Sequence, residues 1–171
     1  MSRLGRFLIL WTGVTFSLVA ASAAVDDAPK SAAEPGEARV ENIQVRLSQA
    51  GPVVLLRVRN KAIPIFVDAL VAESIQGALI GQKPPRPLSH DLMHTVLAAL
   101  DARVSQVVIT QKDGIFYGAL TVVAGKIVKV FDSRSSDAIA LAIRFKAPIL
   151  LSEKLVDSFG VEIPETGAKT L

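Results

Sequence analysis

The spacing of apolar residues switches repeatedly between two and about 3.6, and that switching restricts this chain to a mixed fold before any single motif is weighed. Ile43, Val45 and Leu47 alternate on one strand, turned at Ala50-Gly51-Pro52, and residues 53–59 and 62–67 follow around Asn60-Lys61 as an antiparallel meander. Asp68 is placed to cap a helix that runs to Ile80 and ends at Gly81, with Ala72, Ile75 and Leu79 on one side. A second helix follows Ser89. Residues 103–110, 115–123 and 126–132 then make a second meander, whose first turn, Lys112-Asp113-Gly114, is a strong hairpin signal. Ser135 or Ser136 is expected to cap a third helix, with Ile139, Ala142 and Ile143 inward. Residues 147–151 read as a short strand, and Ser152 caps a last short helix closed by Gly160. The expected fold is α/β of the α+β kind, a mixed, largely antiparallel sheet of about six to seven strands with three main helices.

The second helix has an unusual approach. Pro84, Pro85 and Pro87 fix φ and bias their predecessors to extended backbone, so Arg86 sits on a stiff strut that ends at Ser89, a good N-cap. Leu92, Val96, Leu97 and Leu100 form a stripe expected to face a core, while His90, Asp91 and His94 occupy the first two turns. The residues Asp132-Ser133-Arg134-Ser135-Ser136-Asp137 read as a polar strand-to-helix loop able to offer backbone amides to an anion.

At the N-terminus, Arg3 and Arg6 precede an apolar run over 7–21 and the small-x-small triplet Ala21-Ser22-Ala23, the pattern of a secretory signal peptide over 1–23. Its removal takes away two bases and no acid. Lys+Arg then falls from 19 to 17 against 16 Asp+Glu, and the net charge falls from +3 to +1, so a globally basic footprint is absent. Residues 24–39 are small, charged and proline-containing and read as a disordered tether. The domain is expected over 40–163, with a frayed tail over 164–171. Such a chain would be periplasmic or secreted and, once processed, would keep no membrane span. Without cysteine there is no disulfide, thiolate nucleophile or Cys-containing metal site.

Four segments in register resemble the bifunctional nuclease domain family: Ile63-Pro64-Ile65-Phe66-Val67; Pro85-Arg86-Pro87-Leu88-Ser89-His90-Asp91-Leu92; Val107-Val108-Ile109 with Asp113-Gly114-Ile115-Phe116-Tyr117; and Ser136-Asp137-Ala138-Ile139-Ala140-Leu141-Ala142-Ile143-Arg144 with Ala147-Pro148-Ile149. The resemblance implies a mixed α/β domain, a homo-oligomer, and cleavage of RNA and DNA. Phosphodiester hydrolysis needs an activated water, charge stabilisation on the phosphate and a proton for the leaving oxygen. The residues available for this are His90, Asp91, Asp132 and Asp137 for the chemistry, with Arg86 and Arg134 for phosphate. Asp132 and Asp137 are the expected ligands of a divalent ion, Mg or Mn, and no organic cofactor is expected. The alternative is a non-catalytic periplasmic module that binds an acidic partner through the same arginines.

Overall fold

The computed structural model describes residues 36–163. The expected signal segment over 1–23, the expected tether as far as Pro35 and the expected tail over 164–171 lie outside the described residues. Nine strands and four helices follow in chain order: β1 (Glu37–Arg39), β2 (Asn42–Ser48), β3 (Gly51–Val58), β4 (Lys61–Phe66), α1 (Ala69–Leu79), α2 (Ser89–Ala99), β5 (Ala102–Lys112), β6 (Ile115–Ala124), β7 (Ile127–Arg134), α3 (Ser135–Phe145), β8 (Ile149–Ser152), α4 (Glu153–Phe159) and β9 (Val161–Glu162). The fold is α+β and largely antiparallel, as expected, but the strands divide between two sheets rather than one. One has the order β1-β8-β5-β6-β7 and the other β2-β3-β4-β9. Among the described residues the single parallel contact joins β5 to β8, at the end of the crossover through α3.

The tether was expected to run to Arg39, yet Glu37, Ala38 and Arg39 form a strand against β8 in which Ala38 is buried. Backbone pairing with an open strand edge decides this, and a charged three-residue run does not display it. The hairpin between β5 and β6 turns as its sequence requires. Asp113 and Gly114 both take positive φ, 52° and 81°, the geometry that matches strand twist.

Helices α1 and α3 lie between the sheets, α1 against β2 and β3, α3 against β5 and β6, and each against the other. The core runs through all these layers, with Leu56 and Ile63 from one sheet, Ile75 and Ile139 from the helices, and Val107, Ile109 and Leu151 from the other sheet. Small residues permit the close approach. A Cβ on Gly118 of β6 would stand 2.5 Å from the Cβ of Ala138 in α3, inside van der Waals contact.

Capping departs from expectation at two helices and agrees at two. Asp68 caps α1, accepting from the Val71 amide at 2.9 Å, and Ser152 caps α4 by accepting from Leu155. Ser89 and Ser135, by contrast, are the first residues inside their helices. The N-cap of α2 is Leu88, whose amide donates to the Asp91 carboxylate at 3.0 Å, so the third helical residue reaches back to close the first turn. In α3 the N-cap is Arg134, because β7 continues through Ser133 and Arg134, paired with Gly118 and Tyr117. The expected polar loop over 132–137 is therefore strand running straight into helix.

The apolar stripe of α2 is the larger correction. Leu92, Val96 and Leu100 are 56%, 47% and 68% exposed, while His90 is buried and Asp91, His94 and Leu97 are half-buried. The helix turns its polar side inward. His94 lies against the ring of Phe145, with centroids 4.5 Å apart. Phe116 joins the core edge-on to Phe159.

Candidate active site

Helix α3 begins where β7 ends, so Asp132, Arg134 and Asp137 are delivered to one corner. The first turn of α2 brings His90 to the same place. Between these elements and α1 is a cavity of about 720 Å³. Leu70, Val71, Met93, Leu97, Leu120, Val122 and Phe131 make its apolar walls, and His90, Asp132, Ser133, Arg134 and Asp137 line it on the polar side. Asp132 is exposed on β7 and belongs to this lining.

His90 is held at both ring nitrogens. Nε2 is 3.1 Å from Oδ1 of Asp137, and Nδ1 is 3.0 Å from Oγ of Ser74. An ionised carboxylate only accepts, so Nε2 carries the proton towards Asp137 and, in the neutral ring, Nδ1 accepts from the Ser74 hydroxyl. The Ser74 oxygen in turn accepts from Nη2 of Arg144 at 2.9 Å. Arg144 also donates to the Ser74 carbonyl at 3.2 Å, the Ala140 carbonyl at 2.9 Å and, through Nε, to Oδ1 of Asp91 at 2.9 Å. At the other end Arg134 grips Asp137 with two bonds, Nε to Oδ2 at 2.8 Å and Nη2 to Oδ1 at 2.9 Å. Arg134, Asp137, His90, Ser74, Arg144 and Asp91 thus form one continuous polar line through all three central helices.

Both carboxylates in this line are ionised more readily than usual. Burial pushes the Asp137 carboxyl up, but the hydrogen bonds and charges of Arg134 and His90 outweigh it and hold it below the ordinary carboxylate range. Burial opposes ionisation at Asp91 as well, and there the bonds from Arg144 and the Leu88 amide prevail.

The expected residues divide accordingly. His90, Asp132, Asp137 and Arg134 meet at the cavity. Asp91 does not. It points to the far side of the network, where it lines a separate hollow of about 60 Å³ with Arg144 and Pro84. Arg86 is exposed in the bend before α2, outside the cavity lining, with no hydrogen-bond or ion-pair partner among the described residues. Ser74 and Arg144 were not singled out from sequence. The available signal was spacing: Arg144 follows Asp137 by seven residues, two helical turns along one face of α3.

A divalent ion can be held by one or two carboxylates with substrate and water completing its shell. Of the expected pair, however, Asp137 has both oxygens engaged, and the Arg134 guanidinium occupies its outer side. No group of three or more His, Asp or Glu among the described residues is arranged to hold an ion. So placed, Asp132 and Asp137 do not fit a metal.

The sequence model of the bifunctional nuclease domain matches residues 53–164. Two proteins described as uncharacterized, one from each of two strains of Mycobacterium tuberculosis, are 36% identical to this chain over 133 residues, covering 76% of it and 79% of their own length. The chain belongs to the bifunctional nuclease domain family.

Proposed function

We propose that the cavity is a phosphodiester-hydrolysing site for RNA or DNA, in a protein exported by its N-terminal segment. The observation that carries this reading is the meeting of Arg134, Asp132, Asp137 and the buried edge of His90 at one accessible hollow. Arg134, 68% exposed, is the group that receives phosphate, since its planar fork suits two phosphate oxygens as well as it suits Asp137. An anion there competes with Asp137 for the guanidinium and loosens the bond that occupies Nε2 of His90. Water adds to phosphorus with its proton passing to a carboxylate, Asp132 being the one free of an ion pair, and the leaving oxygen takes a proton from protonated His90. Family membership supports nucleic acid as the substrate.

One observation favours the rival reading, a periplasmic module for an acidic partner: Arg134 and Asp137 already satisfy each other, a resting arrangement that binding alone would exploit. Purified protein assayed on single-stranded RNA and DNA, with and without EDTA, separates the two. Hydrolysis that falls at least a hundredfold in His90→Ala and Asp137→Asn, both still folded, supports the enzyme. Activity that survives both changes assigns it to a contaminant and leaves the binding module. Loss of activity on chelation would require Asp137 to release Arg134 in favour of an ion.

A further inference from the structure

Successive residues of a strand point to opposite faces of its sheet, and on β6 this separates two aromatic neighbours. Phe116 goes to the core side, edge-on to Phe159, where α3 packs against Gly118. Tyr117 goes to the other side. There it is half-buried, with no hydrogen bond or ring contact among the described residues. Strand pairing fixes what stands beside it: Thr110 of β5 and Arg134 of β7 in the same row, and Ala119 and Asp132 in the next. The face is open, for Val128 and Val130, which share it, are 62% and 65% exposed. Of the charged side chains that these three strands direct to it, Arg103, Lys112 and Arg134 are cations and Asp132 is the carboxylate. Lys112 lies one row from Tyr117, about 7 Å along the sheet, and Arg103 three rows the other way, roughly 20 Å.

We propose that this face is a track for single-stranded nucleic acid, on which Tyr117 stacks a base while Arg103 and Lys112 hold phosphates to either side. Two observations select that occupant. The excess of positive charge suits a polyanion, and an aromatic ring without a partner on a flat, open sheet suits the face of a base. A duplex hides its base faces within the stack and presents phosphate alone, so a single strand is the form that can use both. The track is continuous with the cavity. β7 is the edge strand of its sheet, and its Asp132 and Arg134 belong both to this face and to the cavity lining. A strand lying over Tyr117 therefore carries a neighbouring phosphate to Arg134, an assignment that rests on the reading of Arg134 given above.

Anisotropy of labelled thymidine and uridine oligonucleotides, titrated with the full chain over a salt series, tests the track beside hydrolysis of the same strands. Tyr117→Leu is expected to weaken binding about 5- to 150-fold, the loss of one stacked base, with the salt slope unchanged. Tyr117→Phe keeps the ring and should bind as the wild type does. Arg103→Gln, at an exposed site, should take about 0.7 off the slope of log K against log salt, the share of one phosphate on a single strand. Tyr117 is the one tyrosine of the sequence and Trp11 its one tryptophan, so in Trp11→Phe the emission is that of Tyr117, and a base stacked on it quenches that emission. Binding that depends on Tyr117 and Arg103 without hydrolysis keeps the track and ends the hydrolytic reading. Hydrolysis whose KM ignores both substitutions keeps the hydrolytic reading and overturns the track. No binding of single strands, no quenching, a duplex bound as tightly as a single strand, or a polyglutamate peptide bound as tightly as the oligonucleotides would overturn the track as well.

Discussion

Two arginines grip two aspartates in this protein, and replacing each by methionine should give very different losses. Arg144 has only 7% of its side chain exposed and donates to Asp91, to the Ala140 carbonyl and to both oxygens of Ser74. Arg144→Met leaves the Asp91 carboxylate without its counter-charge and the Ser74 carbonyl without this donor. Removing one partner of a buried pair costs about 3–5 kcal/mol. Arg134 holds Asp137 with equally good geometry but is 68% exposed, and an exposed pair contributes about 0–1 kcal/mol. In a domain of this size the first loss lowers Tm by roughly 10–20 °C and the second by no more than about 5 °C. Thermal melts and urea titrations at neutral pH measure both. Adding Asp91→Asn to Arg144→Met should recover part of the loss, because the stranded charge is removed with its partner. Equal losses for the two arginines, or a double variant whose cost is the sum of its parts, would refute the claim that burial governs these bonds.

Two further outcomes follow from the same geometry. Gly118→Ala forces the Ala138 contact apart and should cost about 1–3 kcal/mol in urea titrations, since backbone on both sides must shift. Both depressed carboxylates tie stability to pH. Their folded-state values lie below the unfolded value of about 3.9, so their contribution is complete at neutral pH, declines as pH falls through that value and is gone below the folded values. Acid unfolding below about pH 4 should be visibly less steep in Asp91→Asn, and an unchanged slope would contradict the assignment.

The elements that sequence displayed are those whose cause is local. Asp113-Gly114 carries its own positive-φ requirement, and Asp68 and Ser152 cap because their neighbours offer free amides. Neither the separation into two sheets nor the strand at Glu37–Arg39 has a local cause. Alternation reveals which residues share a face of a strand, not which strand lies beside it. The site divides along the same line. Asp132, Arg134 and Asp137 are near in sequence, and α2 stood out by its proline strut, so those residues could be gathered early. Ser74 and Arg144 act only because α1 and α3 lie side by side, and Asp91 was lost to the cavity for the same reason, claimed from behind by Arg144.

Helix α2 shows why the right periodicity can be assigned to the wrong side. A 3.6-residue repeat of Leu92, Val96 and Leu100 fixes the existence of an apolar arc, and nothing in the repeat says whether the arc turns towards its own domain. Two demands compete for the inner side. Turning the arc inward would bury Leu92, Met93, Val96 and Leu100, each contributing about 1.5–3 kcal/mol when fully buried. It would also tear His90 from Asp137 and Ser74 and strand Arg144 without Asp91, at about 3–5 kcal/mol for the ion pair alone. Within one protomer these terms are of similar size, so neither orientation wins outright. The bonds of His90 to Asp137 and Ser74 then tip the balance to the side observed. On this reasoning the inverted helix and the buried network are a single adaptation: the apolar arc is left outside, and the groups that face the cavity stay fixed by the polar side that α2 keeps inward.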